Sequence, residues 1–256
     1  MTERALGWRP PVDRTHETTY AMRTIGVPSL PTPVVIGIPW YTNFDRPQRD
    51  PALMDVYWIG RGDLGSVRGG HCVCLRPPSR AEIVGTWQHY NQNSEGACVG
   101  FGSSRAAGIM NRRLYDGFAL YHEAQKRDPW PGENYSGTSV NAGMQTLRQV
   151  GAWPIKNGAV TGPVLKDGIM SYSWAANADE VAKALHSTEG FVRILNSWGR
   201  GYPYEVRMSL ETLDFLLGLE GEAAIPIDRP GQSKVRPSKD AKVADAATDS
   251  ESSGLA

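Results

Sequence analysis

Cysteine is scarce in this chain, three residues in 256, and the count is odd. A disulfide framework is thereby excluded as the source of stability, and a chain of this length buries enough interior to fold without one, as one large domain or two small lobes. Cys72 and Cys74 stand two apart in a stretch that reads as a strand, so they point the same way and are badly placed to bond each other. They read as small buried hydrophobes, and free thiols suit a reducing compartment. With one intervening residue and no second Cys or His pair nearby they do not make a metal site, so no metal and no cofactor is expected. Excess charge is lacking as well: 27 basic and 27 acidic side chains cancel, and the basic ones are scattered. That pattern excludes a nucleic-acid or anionic-membrane surface and argues against a polyanionic substrate. No apolar run approaches the roughly 20 residues of a membrane helix, and Met1 to Pro11 holds no apolar signal core. A soluble, cytoplasmic protein, unexported by that route, is the expectation.

Proline is not scarce in residues 1 to 33, where Trp8-Arg9-Pro10-Pro11 opens a stretch that reads as an extended arm packed irregularly against a lobe. Val34-Val35-Ile36-Gly37-Ile38, bounded by Pro33 and Pro39, suits a buried strand; Val56 to Ile59 and His71 to Leu75 are further strand candidates. From Cys98 the pattern turns helical. Leu114, Phe118 and Tyr121 share one face, as do Val140, Met144, Leu147 and Val150 after an N-cap at Thr138 or Ser139, with Gly151 as the stop. Asn177 and Glu180 resemble a capping box opening a short helix that ends near Gly190. Phe191 to Asn196 reads as a strand, and Ser209 as the cap of a last helix carrying Leu210, Leu213, Leu216 and Leu217. The sum is an α+β chain: an arm (1–33), a β-rich lobe from 34–80 and 191–227, and a mainly helical lobe (81–190). Residues 228–256, nearly free of large apolar side chains, are expected to be a disordered tail.

Three segments carry chemistry. Asn196-Ser197-Trp198-Gly199 follows the apolar run Phe191 to Leu195; alone it reads equally as a strand ending in a turn. Cys98 closes Gln92-Asn93-Ser94-Glu95-Gly96-Ala97-Cys98, and His71 follows Gly69-Gly70. A thiol attacks a carbonyl only as thiolate, so a catalytic cysteine belongs at a helix N-terminus beside an imidazole, and Cys98 opens a helical segment. Five histidines compete for the role of base. His186 lies before the turn at Ser187 to Gly190, which at strand spacing puts it roughly 16 Å from Asn196, too far for a hydrogen bond. His16 lies in the arm, His89 on the loop before Cys98 and His122 mid-helix, whereas His71 begins an apolar strand.

Together the three segments resemble the papain-like cysteine peptidases over about residues 8 to 217, most closely those of actinobacterial phages and their hosts. The resemblance implies a two-lobe fold, one lobe helical and the other an antiparallel barrel-like sheet. It also implies a triad of Cys98, His71 and Asn196, with Gln92, six residues before the nucleophile, as side-chain oxyanion donor. Trp198 would cover the His-Asn pair, and Gly137 would line the edge where substrate backbone pairs. The order departs from the family, with His first, Cys second and Asn third. Moving residues 33 to 80 to between Gly190 and Phe191 restores it. The strands carrying His71 and Asn196 must then pair non-locally. Glu95 and Val99 replace a disulfide Cys and a Trp of the family, Arg200-Gly201-Tyr202-Pro203 lacks its second Trp-Gly, and the arm is short for an inhibitory prosegment.

Three functions follow as expectations. The first is a cysteine peptidase or amidase, a monomer whose partner is a peptide or protein substrate, in the cytoplasm, host cell or virion. The second is an inactive papain-fold binding or phage structural protein. The third is a Cys-His peptidoglycan amidase.

Overall fold

A computed structural model describes residues 6–10, 28–78, 89–130 and 136–229. The tail from 230 and His16 therefore lie outside the described residues, as do Glu133, Asn134 and Tyr135. In chain order the first strands are β1 (Val34–Tyr41), β2 (Gln48–Arg49), β3 (Tyr57–Trp58) and β4 (Val67–Arg76). Three helices follow, α1 (Cys98–Asn111), α2 (Gly117–Ala124) and α3 (Val140–Gln149). Then come β5 (Ile155–Lys156), β6 (Ala159–Val160), β7 (Ser171–Trp174), α4 (Ala178–Leu185) and β8 (Phe191–Leu195). The chain closes with β9 (Glu205–Ser209), α5 (Leu210–Leu219) and β10 (Glu222–Ile227).

The fold is α+β: eight strands form one mixed sheet in the order β2-β3-β9-β8-β4-β1-β10-β7, in which only β3 and β9 are parallel, while β5 and β6 make a separate ribbon. The centre is antiparallel: β1 meets β4 with Ile38 opposite His71, and β4 meets β8 with Cys74 opposite Leu195. The near-continuous apolar run of β1 is explained by burial on both faces, since alternation has no purpose where neither side meets water. Val35, Cys72, Cys74, Leu195 and Ala224 pack with α1 and α3. Val34, Ile36, Ile38, Val73, Leu75 and Ile194 pack on the other side against α4 and α5. Cys72 and Cys74 are buried free thiols on one face, as their spacing requires.

Caps set the helix starts. Ser139, rather than Thr138, caps α3 by accepting from the Ala142 amide at 3.1 Å, and Gly151 ends that segment with φ at 103°. Asn177 Oδ1 accepts from the Glu180 amide, while the Glu180 carboxylate reaches Ala176, one residue before the cap. Helix α4 stops at Leu185, short of Gly190, because His186 turns left-handed with φ at 51°. Ser209 Oγ accepts from the Thr212 amide at 3.1 Å and starts α5. The expected strand over Val56 to Ile59 is reduced to Tyr57–Trp58. No helix among the described residues is long and apolar enough to cross a membrane.

Candidate active site

His71 enters from β4 with its ring fully buried between two indoles. Trp198 stacks on it, centroids 4.7 Å apart and planes at 25°, and Trp40 meets it edge-on at 4.7 Å. Its Nε2 lies 2.8 Å from Asn196 Oδ1, which also accepts from the Ser197 amide at 2.7 Å. A backbone N–H only donates, so that second bond fixes which end of the Asn196 amide is oxygen. Nε2 must therefore carry the proton, and a neutral imidazole leaves its lone pair on Nδ1. That atom is buried and has no hydrogen-bond partner among the described residues.

Cys98 is the first residue of α1, where unpaired backbone amides and the helix dipole favour negative charge. Its sulfur faces the backbone amides of Cys72, Val99 and Gly7. The thiol is thus beside the residue that follows His71, yet thiol and imidazole are not hydrogen-bonded to each other. Both are fully buried, and burial dominates their protonation. It pushes the Cys98 thiol up to about 12 against the pull of those amides. It also drives the His71 imidazole down to about 4, opposed by the Asn196 bond and helped by the nearby Arg68 charge. In this covered arrangement both groups are neutral at pH 7.

Gln92 is buried and tied to the Asn196 loop. Its amide N–H donates to the Ser197 carbonyl at 2.8 Å, and Ser197 Oγ donates to Gln92 Oε1 at 2.6 Å. The side-chain Nε2 donates to the Glu95 carbonyl at 2.9 Å, within its own loop. A bridge between Asn91 and Trp198, with the Gly199 amide donating to the Tyr90 carbonyl, extends this seam. The segment entering the nucleophile helix and the segment carrying Asn196 are therefore joined side by side.

Gly137 has φ at 116°, and its N–H donates to Tyr121 Oη at 2.9 Å. The main-chain pairing beside it is made by Thr138, and the partner is the chain's own N-terminal arm. The Thr138 amide donates to the Gly7 carbonyl at 2.9 Å, and the Arg9 amide donates to the Thr138 carbonyl at 3.2 Å. The Gly7 and Trp8 amides both donate to the Gly70 carbonyl, next to His71, at 3.2 Å. A Cβ on Gly7 would collide with the Gly96 carbonyl, and one on Gly137 with the Gly7 carbonyl. Leu6 to Arg9 thus run as a strap through a cleft walled by the Cys98 loop, the Thr138 edge and the His71 strand. The strap turns the Gly7 N–H, not a carbonyl carbon, toward the Cys98 sulfur.

The other histidines among the described residues stand apart: His186 Nε2 lies 2.8 Å from the Pro28 carbonyl, His89 packs edge-on to Tyr204, and His122 Nε2 is 3.5 Å from Glu95. No cluster of three or more His, Cys, Asp or Glu among the described residues could hold a metal ion. Trp40 and the strap are site components to which the sequence assigns no role, although Trp8 beside two prolines signals an ordered arm; Ser197 lies inside the Asn-Ser-Trp-Gly motif, and Thr138 reads from sequence only as a candidate cap.

No protein-family model matches the chain, and no curated protein does. Among solved structures it is similar to xylellain, a cysteine protease from Xylella fastidiosa, with a TM-score of 0.44 and 15% identity over 60% of this chain and 87% of that one.

Proposed function

We propose that this chain is a thiol-dependent peptide hydrolase of papain-like build whose His-bearing strands precede the Cys segment. Cys98 is the nucleophile, and His71 takes its proton on Nδ1 and returns it to the leaving amine. Asn196 holds the imidazole in the tautomer that keeps Nδ1 free, and Trp198 shields that bond. The Cys98 backbone amide and Gln92 Nε2, once released from the Glu95 carbonyl, donate to the oxyanion. Attack forms a thioester and expels the amine; a water activated by the same imidazole then releases the acid and restores the thiol.

The observation that carries this reading is the cleft's content: an extended peptide segment held by main-chain bonds from both walls, with the Gly7 N–H directed at the Cys98 sulfur. Chemistry at this site requires the strap to leave, because a thiol held at about 12 and an imidazole held at about 4 form no ion pair. That same observation favours, as second reading, a peptide-binding protein of this fold without catalysis. Turnover of a broad peptide library by a strap-loosened variant, lost in Cys98→Ala and in His71→Ala, is the expected result. A folded protein whose hydrolysis is no greater than that of Cys98→Ala establishes the second reading.

A further inference from the structure

The indole wall behind the imidazole is tied down from outside the cleft. Trp40, fully buried on β1, meets the His71 ring at 4.7 Å and also touches Trp198 and Phe44, each at 5.2 Å. Its Nε1 donates to Asp45 Oδ1 at 2.9 Å, in the short 3₁₀ turn Thr42–Asp45 that follows β1. Arg68, three residues before His71 on β4, donates from Nη1 to the same oxygen at 3.1 Å and stands 3.0 Å from Oδ2. Its guanidinium carbon lies 6.0 Å from the Trp198 ring centroid. Tyr202 Oη donates to the Phe44 carbonyl at 3.0 Å while its ring packs edge-on to Trp198. One carboxylate therefore links both indoles around the base, directly to Trp40 and through Arg68 to Trp198.

The charges near the ring form an opposed pair. Arg68 on its own strand disfavours the imidazolium, and Asp45, beyond Trp40, has the opposite sign. Cys98 at the start of α1 is neutral while its thiol is held at about 12, Tyr202 behind Trp198 donates as a neutral phenol, and Asn196, Trp198 and the strap residues Gly7 and Trp8 carry no charge. We propose that Asp45 is a positioning residue for the His71 base: its carboxylate fixes the indole wall against which the imidazole stands and sets a negative charge opposite Arg68, so that the positive ring formed when the thiol gives up its proton is held and tolerated. The inference rests on His71 acting as the base of the proposed hydrolysis. Whatever else holds the guanidinium, Asp45→Asn takes one negative charge away 3.0 Å from it and leaves an acceptor for the Trp40 N–H. In an interior this dry, a charge one indole away is felt more strongly than in water.

The test is the titration of the His71 ring, read by carbon-13 NMR of the histidine-labelled full-length chain, with His71→Gln identifying the signal. Trp8 anchors the strap through a buried indole whose Nε1 donates to Glu222 Oε1 at 2.6 Å, so Trp8→Ala opens the ring to solvent, and Cys98→Ala keeps a thiolate out of the titration. In that background Asp45→Asn is expected to lower the midpoint by about half a unit, Arg68→Gln to raise it by about as much, and the two together to lie between. Loosened packing alone would not give opposite signs. Two single substitutions that move the ring the same way, or that leave it unmoved, overturn the proposal. Should that background not fold, the native chain reports: Arg68→Gln should raise the midpoint from about 4, and adding Asp45→Asn should shrink the rise; a rise equal or larger is the contrary result. In Trp8→Ala with Cys98 intact, Asp45→Ala should lower kcat about tenfold at unchanged KM, since residue 45 lies behind the ring, and Asp45→Asn should recover part of the loss; a raised KM at unchanged kcat counts against the positioning role. Opposed NMR shifts without any hydrolysis overturn the catalytic reading and leave the link from Asp45 to His71 standing, whereas hydrolysis without opposed shifts overturns this inference alone.

Discussion

Trp8→Ala in the full-length chain should release the strap and switch on the Cys98 thiol. The substitution deletes the Glu222 bond and a buried indole, a change that costs about 3 to 5 kcal/mol in a packed interior and falls mainly on the strap. At pH 7 a thiol held at about 12 is thiolate in only ~10⁻⁵ of molecules. A solvated thiol near its ordinary value of about 8.5 is ~3% thiolate, about 3,000-fold more. A less basic thiolate is also less nucleophilic, by a factor of about 40 over that span, which leaves a net gain of about 80-fold. Better access can only add to it. The assay is the rate of iodoacetamide alkylation at Cys98, followed by peptide mass spectrometry at pH 7, with Cys72 and Cys74 as internal references. Both references stay behind the sheet face against α1 and α3, with Cys74 also held at about 12, so they should remain slow. Folded variant protein that alkylates at Cys98 no faster than the native chain would refute the strap argument. Equal acceleration at all three thiols would do the same, since it would mean general loosening.

Two further outcomes are expected. His71 binds its proton at about 4 when folded and near 6.5 when unfolded, so between those values the unfolded chain holds more protons and stability rises with pH. The native chain should lose about 3 kcal/mol on going from pH 7 to pH 4 that His71→Gln does not lose, measured by urea unfolding at both values. A parallel pH slope in the two proteins contradicts the buried neutral imidazole. Ser209→Ala removes the hydroxyl that accepts from the Thr212 amide and should cost about 1 kcal/mol in the same assay, with Ser209→Asp restoring most of it.

Local chemistry made some of this structure legible and left the rest hidden. The caps at Asn177 and Ser209 follow from side chains acting on neighbours in the chain, and the buried strand at Val34 to Ile38 and the helix beginning at Cys98, which has no side-chain cap, were legible from their residue pattern. Strands β7 and β10 were not legible. Ser171-Tyr172-Ser173-Trp174 has no apolar alternation, and Glu222 to Ile227 contains Pro226; they are strands because they pair with each other and with β1. His71 and Asn196 could be named from their motifs, but the orientation of the Asn196 amide depends on the Ser197 N–H. The strap was least legible of all. Gly7 lies where it does because Gly70, Gly96 and Thr138 converge from three separate segments, and no pattern within residues 1 to 33 encodes that meeting.

The pairing of β4 with β8 has a consequence during synthesis. His71 and Asn196 are 125 residues apart in the chain, and β4 gains its β8 neighbour only after the second has been made. At ribosomal speeds the nascent β4 then waits roughly 6 to 25 s with one edge bare, long compared with collapse of a hydrophobic segment. A growing chain in that condition offers a template to any other strand in reach. Chaperone capture on the ribosome, and poor yield when expression is forced, should therefore accompany this protein more than one whose strands pair as they emerge.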